Sequence, residues 1–221
     1  MSRLIRSILG GASNGTGDQS RRDLDMAVSA FRESGDRWGL SVCLSFKGFS
    51  DSATGDFDSA ATALEESTRA IGELGGHNQQ RIWLAMVRVH TGELERAQAE
   101  LHALMDETSP SQQKAPSQQR ALARLLLADL ARHRGDLGEA TRQLELAAPE
   151  ATDVPNQALY LSSFGHLAVA KGELDSAEDA LGRALEMALD MPDMPMVAVL
   201  TVGMAQLRSR QGDPHQAAEL L

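Results

Sequence analysis

Apolar residues along this chain recur at spacings of three and four, with polar residues between them, over most of the sequence. This period places apolar side chains on one face of an α-helix. Around residues 18–34, Leu24, Ala27 and Phe31 share a face, which predicts a single leading helix. The same pattern predicts five helix pairs, at about 38–74, 78–107, 117–148, 155–190 and 195–221.

A short motif recurs once in each pair: a glycine, an acidic residue, three further residues and an alanine. The copies begin at Gly55, Gly92, Gly135, Gly172 and Gly212. Their intervals of 37, 43, 37 and 40 residues each equal the tetratricopeptide repeat (TPR) period of about 34 plus a short insertion. The longest interval contains a stretch rich in proline, serine and glutamine at 108–118, which predicts a loop between repeats.

Two further columns agree when the five copies are aligned on this glycine. Seven residues earlier every copy has a small residue, namely Gly48, Ala85, Ala128, Gly165 and Ala205. Nine residues later every copy has a leucine, namely Leu64, Leu101, Leu144, Leu181 and Leu221. A small residue lets the first helix of a pair, helix A, approach the second, helix B, and the leucine fills the space between helices. The glycine suits a left-handed cap on helix A, and the acid after it can cap helix B.

These columns predict an all-α, TPR-like fold, a right-handed superhelix of antiparallel helix pairs with about five repeats plus the leading helix. We expect one repeat domain over 18–221, preceded by a flexible segment over 1–17. The glycines of that segment do not form a phosphate-binding loop, because Asp18 follows them where a P-loop has lysine. The chain stops at Leu221, inside the last helix B. We therefore expect either a fragment of a longer protein or a helix that a partner completes.

Two segments carry a resemblance to a known family. They are SGDRWGLSVCLSFKGFSDSATGDFDSAATALEESTRAIGELG from Ser34 and the closing RQGDPHQAAELL. Over residues 34–221 the chain resembles the C-terminal TPR region of large actinobacterial transcriptional regulators, the SARP-type and related ATP-binding regulators. The resemblance implies a sensor or interaction role beside a DNA-binding domain and a nucleotide-binding module. The chain departs from TPR preferences at the fourth position of helix A, where Arg81, Arg124 and Thr201 replace a bulky residue.

Charge and composition narrow the possible functions. The formal net charge of −10 argues against direct binding of nucleic acid, because phosphate binding needs a surplus of lysine and arginine. No apolar stretch approaches the roughly 20 residues that cross a bilayer, so no membrane association is expected. The single cysteine, Cys43, cannot form an internal disulfide, which favours a cytoplasmic protein. We expect Cys43 to be a buried small hydrophobe rather than a nucleophile.

Aligning helix A of the five copies also predicts which residues line the groove of the superhelix. They are Ser45, Phe49, Ile82, Met86, His90, Leu125, Asp129, His133, Ser162, His166, Val169, Val202 and Gln206. The set is largely apolar and lacks the lysine and asparagine of carboxylate-clamping TPRs, so an amphipathic segment suits it better. The alternative is that several of these residues pack against adjoining helices. The histidines have no supporting carboxylate pattern, so no metal is expected.

No pattern in the chain brings together an acid, a base and a nucleophile, so we expect neither enzymatic activity nor a cofactor. The expected function is the binding of a protein or peptide, including other domains of the same parent protein. Two settings are open: the sensor or interaction domain of a transcriptional regulator, and a stand-alone adaptor that joins two partners. An enzyme, or an enzyme regulator, with its site in the groove is a less favoured third hypothesis. The partner, the effector and the oligomeric state stay open.

Overall fold

The protein is described by a computed structural model over residues 17–72, 78–105, 116–190 and 194–220. Within these ranges the chain forms eleven α-helices and no strand. In chain order they are α1 (Gly17–Ser34), α2 (Arg37–Ala53), α3 (Phe57–Ile71), α4 (Asn78–His90), α5 (Leu94–Met105), α6 (Ser117–His133), α7 (Leu137–Ala147), α8 (Val154–Lys171), α9 (Leu174–Leu189), α10 (Met194–Arg210) and α11 (Pro214–Glu219). The prediction of an all-α, TPR-like fold is confirmed.

The helices pack as the five predicted antiparallel pairs, with α2, α4, α6, α8 and α10 as A helices and α3, α5, α7, α9 and α11 as B helices. The leading helix α1 packs on α2. The chain divides into two compact units, an N-terminal unit (Met1–Lys114) that contains α1 to α5 and a C-terminal unit (Ala115–Leu221) that contains α6 to α11. The predicted flexible segment 1–17 lies outside the described residues except for Gly17, at which α1 begins.

Every A helix ends at its repeat glycine in the same way. The five repeat glycines have φ between +79° and +87°, the left-handed region predicted for them. The amide of the acidic residue after each glycine donates to the carbonyl five residues earlier, as from Asp136 to Ala131 at 2.9 Å. This pattern is the Schellman cap. Gly35, with φ of +72°, makes the same turn between α1 and α2, which the five-copy alignment had not included.

The acidic residue after the glycine caps helix B where it is an aspartate. The carboxylates of Asp56, Asp136 and Asp213 each accept a hydrogen bond from the amide three residues later, at 3.2, 3.0 and 2.9 Å. Glu173 makes no such bond. The shorter aspartate side chain suits the cap position better, so the predicted cap holds for these aspartates and not for Glu173.

The small-residue column and the leucine column meet between helices A and B. A Cβ atom added to Gly48 would lie 2.6 Å from Leu64 Cγ, and one added to Gly165 would lie 2.6 Å from Leu181 Cγ. Leu101 and Leu144 of the same column are also buried, and Leu221 lies outside the described residues. In the first and fourth repeats the two backbones therefore approach more closely than an alanine would allow without a shift.

Two arginines occupy the fourth position of helix A, where TPRs prefer a bulky residue. Arg81 is buried, and its Nε lies 3.0 Å from Glu100 Oε1 on α5. Arg124 is half-buried, and its Nε lies 3.5 Å from Glu150 Oε2, just beyond α7. The long side chains fill the apolar position with their methylene groups while a carboxylate near helix B compensates the charge.

Candidate interaction face on the A helices

The residue six positions before each repeat glycine is exposed or half-buried in all five copies. We call these residues the A-face positions: Phe49, Met86, Asp129, His166 and Gln206. The groove predicted from sequence contains all five. The candidate interaction face on the A helices therefore begins with this column, and its chemistry differs between the two units.

Five predicted groove residues are buried in the described structure, which agrees with the alternative that several of them pack against adjoining helices. They are Ser45, Ile82, Leu125, Ser162 and Val169, and the exposed fraction of both Ile82 and Leu125 is 0%. Four of these residues stand ten positions before the glycine, three positions from the small-residue column. Residues three apart share a helix face, so these side chains point towards helix B with that column. Leu125 accordingly packs in a cluster with Ala140 and Leu144 of α7.

Val202 occupies the same column as Ile82 and Leu125 but is exposed. In the first repeat the second half of helix B covers this position, since the hydroxyl of Ser67 on α3 lies 2.9 Å from that of Ser45. The last described helix, α11, ends at Glu219 and contains no turn equivalent to the one around Ser67. Val202 is therefore exposed in the described residues, and its place in a binding groove stays a prediction.

In the N-terminal unit the A face is aromatic and apolar. The side chain of Phe49 is 61% exposed, and its ring centroid lies 6.5 Å from that of Trp83 on α4. Met86 is also exposed. The imidazole of His90 stacks on the ring of Phe57, with centroids 4.7 Å apart and planes 8° from parallel. These residues form an apolar surface that is suited to an amphipathic segment.

In the C-terminal unit the A-face positions are polar. Asp129 Oδ2 accepts a hydrogen bond from the Ser163 hydroxyl at 3.1 Å, and its Oδ1 lies 3.4 Å from Arg132 Nε. Arg132 Nη2 donates to His133 Nε2 at 3.0 Å. A guanidinium, a carboxylate and an imidazole are therefore in contact on the last turns of α6, with α8 adding a hydroxyl.

His166 extends this group from α8 and lies half-buried against α10. A Cβ atom on Gly203 would lie 2.7 Å from His166 Cε1, so the glycine leaves the room that the imidazole occupies. Burial lowers the pKa of His166, nearby Arg132 lowers it further, and a hydrogen bond with Gln206 acts in the opposite direction. Burial and Arg132 also lower the pKa of His133. We refer to Asp129, Arg132, His133 and His166 as the Arg–His cluster.

The A-face positions contact the next repeat by a single rule within each unit: the residue six before one glycine contacts the residue nine before the next. The contacting pairs are Phe49 with Trp83, Asp129 with Ser163, and His166 with Gly203. The nine-before column is visible in the five-copy alignment, but its residues differ so much in type that sequence reasoning missed Trp83 and Ser163. Arg132, which contacts both Asp129 and His133, was missed as well.

The described residues give little support for metal binding or for nucleophilic chemistry. Among the described ranges, no three His, Cys, Asp or Glu side chains come close enough to hold a metal ion. Cys43 is fully buried, and burial, with a smaller contribution from Asp36, raises its pKa to about 11. The thiol therefore stays protonated at neutral pH and is a poor nucleophile. No helix in the described ranges has the length and apolar character needed to cross a membrane.

The paired helices, the repeated glycine turn and the close contact between the two columns define a helical-repeat protein of the TPR type. The family model described as Tetratricopeptide repeat matches residues 121–145 and 198–221. Gly135 and Gly212 are each the fifteenth residue of their matched segment, so both matches share the register of the alignment. The chain thus contains TPR repeats, and stacked repeats of this kind provide binding surfaces for other proteins.

Solved structures show the same fold. The chain is similar to the crystal structure of BtubC (BKLC) from P. vanneervenii, with 15% identity, a TM-score of 0.64 and coverage of 94% of this chain and 89% of that one. It is also similar to yeast Tom70, with 15% identity and a TM-score of 0.58, over 99% of this chain and 41% of the Tom70 chain. The chain thus spans less than half of the Tom70 structure. No curated protein matches its sequence.

Proposed function

We propose that this chain is a non-enzymatic module that binds a protein or peptide segment on the face of its A helices. The distribution of exposed apolar side chains carries the proposal. Of the ten large apolar residues exposed in the described ranges, seven belong to A helices. They are Trp38, Phe46, Phe49, Met86, Val154, Val199 and Val202. Exposed apolar side chains that collect on one type of helix are typical of an interaction surface.

The use of the charged residues supports binding rather than catalysis. Aspartates at five helix starts accept backbone hydrogen bonds as caps. Cations of the A helices pair with acids of the B helices, as Arg88 with Glu65 at 3.0 Å and Arg208 with Glu178 at 2.9 Å. Charged groups held in this way stabilise the repeats. Because they serve as helix caps and ion pairs between helices, they favour a scaffold role over catalysis.

We further propose that the module is the sensor or interaction region of a cytoplasmic transcriptional regulator. The resemblance of residues 34–221 to such regions of SARP-type and related ATP-binding regulators supports this setting. The net charge of −10 favours a protein or peptide ligand over nucleic acid, including other domains of the parent protein. A segment bound along the A helices would alter the packing of neighbouring repeats and so report binding to those domains.

The binding face is tested by two matched double variants. Phe49→Ser with Met86→Ser removes two exposed apolar side chains from A helices, and Leu146→Ser with Leu189→Ser removes two from B helices. Each variant chain is immobilised, and the partner it retains from the source cells is quantified by mass spectrometry. We expect the A-helix variant to lose most of the retained partner and the B-helix variant to retain it, with both melting near the unsubstituted chain. Loss with the B-helix variant alone would overturn the proposed face.

A stand-alone adaptor that joins two partners is the alternative setting. Deletion of residues 34–221 from the protein that carries them should have a different effect in each setting. The sensor hypothesis expects effector-dependent transcription to change while DNA binding persists. Unchanged transcription, together with simultaneous capture of two different partners by the chain, would favour the adaptor.

A further inference from the structure

Charge is separated by helix type in the C-terminal unit. Its A helices, α6, α8 and α10, contain six cationic residues and one acidic residue, Asp129. The cations are Arg120, Arg124, Arg132, Lys171, Arg208 and Arg210. Its B helices, α7, α9 and α11, contain seven acidic residues and two cations. In a chain with a net charge of −10, these A helices are the basic elements of their unit.

Acids outside the A helices already pair with three of these cations. Arg120 Nη2 lies 2.6 Å from Glu150 Oε1, and Arg124 lies near the same carboxylate. Arg208 pairs with Glu178 of α9. Arg132 differs, because the partners described for it are Asp129 of its own helix and the imidazole of His133. Both partners lie on α6, so in the described residues its guanidinium is paired within helix A and not with an acid of a B helix.

We propose that Arg132, His133 and His166 bind a side-chain carboxylate, so that the segment recognised by the C-terminal unit is an acidic peptide. The inference rests on the proposed function and names the class of its partner. Val199 lies one turn before Gly203 on α10 and is half exposed, so the helix that contacts His166 also presents an apolar side chain. The recognised sequence therefore combines acidic residues with apolar ones. Arginine suits a carboxylate particularly well, because it can donate two parallel hydrogen bonds.

Binding at this site is coupled to protonation. The charged groups that act on His166 are Asp129, Arg132 and His133, all from α6. From α10 it meets the uncharged Gln206, and in the described residues α7 and α9 supply none of the charges acting on it. Both imidazoles have lowered pKa values, so at neutral pH the cluster holds one cation and one carboxylate. An incoming carboxylate favours the protonated imidazoles, so binding takes up protons and tightens as the pH falls.

Two labelled hexapeptides serve as probes, one alternating leucine with glutamate and the other alternating leucine with glutamine. Fluorescence anisotropy with the full chain gives their dissociation constants at about pH 6 and about pH 7.5, on either side of the ordinary histidine pKa. The glutamate peptide should bind about 3- to 10-fold more tightly at the lower pH, and the glutamine peptide should show no such change. Arg132→Gln or His166→Gln should each weaken binding of the glutamate peptide about 3- to 10-fold.

Matched substitutions outside the site control for lost charge. Arg142→Gln on α7 and His102→Gln on α5 remove an exposed arginine and an exposed histidine, and both should leave the dissociation constants unchanged. Histidine titrations by NMR provide a second measurement, because the glutamate peptide should raise the pKa of His133 and His166. Circular dichroism confirms that each variant folds before its binding is compared.

The outcomes separate this inference from the function on which it rests. Equal, pH-independent binding of both peptides would overturn the acidic partner and leave peptide binding by the A face intact. If neither peptide binds, or if Arg142→Gln weakens binding as much as Arg132→Gln, the carboxylate site is wrong. The proposed function would then still be decided by partner retention in the Phe49 and Met86 double variant.

Discussion

Gly165→Ala tests the close approach of α8 and α9. The new Cβ would lie 2.6 Å from Leu181 Cγ and 2.8 Å from Leu181 Cδ2, whereas carbon atoms normally pack at about 3.5–4.0 Å. Leu181 is fully buried in a cluster with Leu200 and Leu207, so its side chain cannot turn towards solvent. Forcing a methyl group into such a core costs about 1–3 kcal/mol.

Helix propensity opposes this cost and has to be separated from it. Alanine is better than glycine inside a helix by about 1 kcal/mol, so the net loss expected for Gly165→Ala is about 0–2 kcal/mol. Gly182 on α9 provides a matched control, because a Cβ added there would meet no atom within 4 Å. Gly182→Ala should therefore stabilise the chain by about 0.5–1 kcal/mol. The two substitutions are chemically identical, yet the Gly165→Ala chain should be less stable than the Gly182→Ala chain.

Urea denaturation of the full chain, followed by circular dichroism, measures both variants. Leu181→Ala alone should cost about 2–5 kcal/mol because it leaves a cavity. Combined with Gly165→Ala, it should cost less than the sum of the two single changes, because the new methyl group then has room. A Gly165→Ala chain as stable as the Gly182→Ala chain, or strict additivity with Leu181→Ala, would refute the close packing of the two columns.

Three further changes test the repeat and the Arg–His cluster. Leu144→Ala should lower the free energy of unfolding by about 2–5 kcal/mol, and an unchanged urea midpoint would contradict its place in the core. Asp136→Ala should cost about 1 kcal/mol in thermal melts and Glu173→Ala less, and equal losses would contradict the cap assignment. His166 binds its proton more weakly folded than unfolded, so stability should fall as the pH drops below about 6.5, and His166→Gln should reduce that fall.

The repeat register was predictable because the glycine turn recurs in all five copies and the leucine of the four described copies is buried against helix A. Each of three columns meets one local steric requirement. They are a glycine with positive φ, a small residue seven positions before it and a leucine nine positions after it. The face of each helix was harder to assign. The column of Ile82 and Leu125 lies four residues from the A-face positions and three from the small-residue column, so it borders both faces of helix A. Spacing alone could not decide between groove and core, and both residues proved to be buried.

The Arg–His cluster shows a different limit of sequence reasoning. Asp129, His133 and His166 were predicted groove residues, and the fold does bring them together. Arg132 lies beside His133 in sequence and carries the charge of the site, yet no repeat column marks it. Its role depends on whether an acid of α7, the helix paired with α6, reaches it, and that depends on packing between helices rather than on helical period.

The A-face positions serve two purposes at once, and this bears on how such a module would transmit binding. Phe49 is exposed while its ring lies near Trp83 of the following repeat. His166 likewise contributes to the Arg–His cluster while it fills the space left by Gly203. A ligand that moves or protonates His166 must therefore also act on the contact between α8 and α10. Because each repeat contacts mainly its neighbours, a change in one such contact is passed to the next helix pair. Under the proposed function, recognition and the spacing of adjacent A helices would be coupled through the same side chains, and binding alone would then change the shape of the unit.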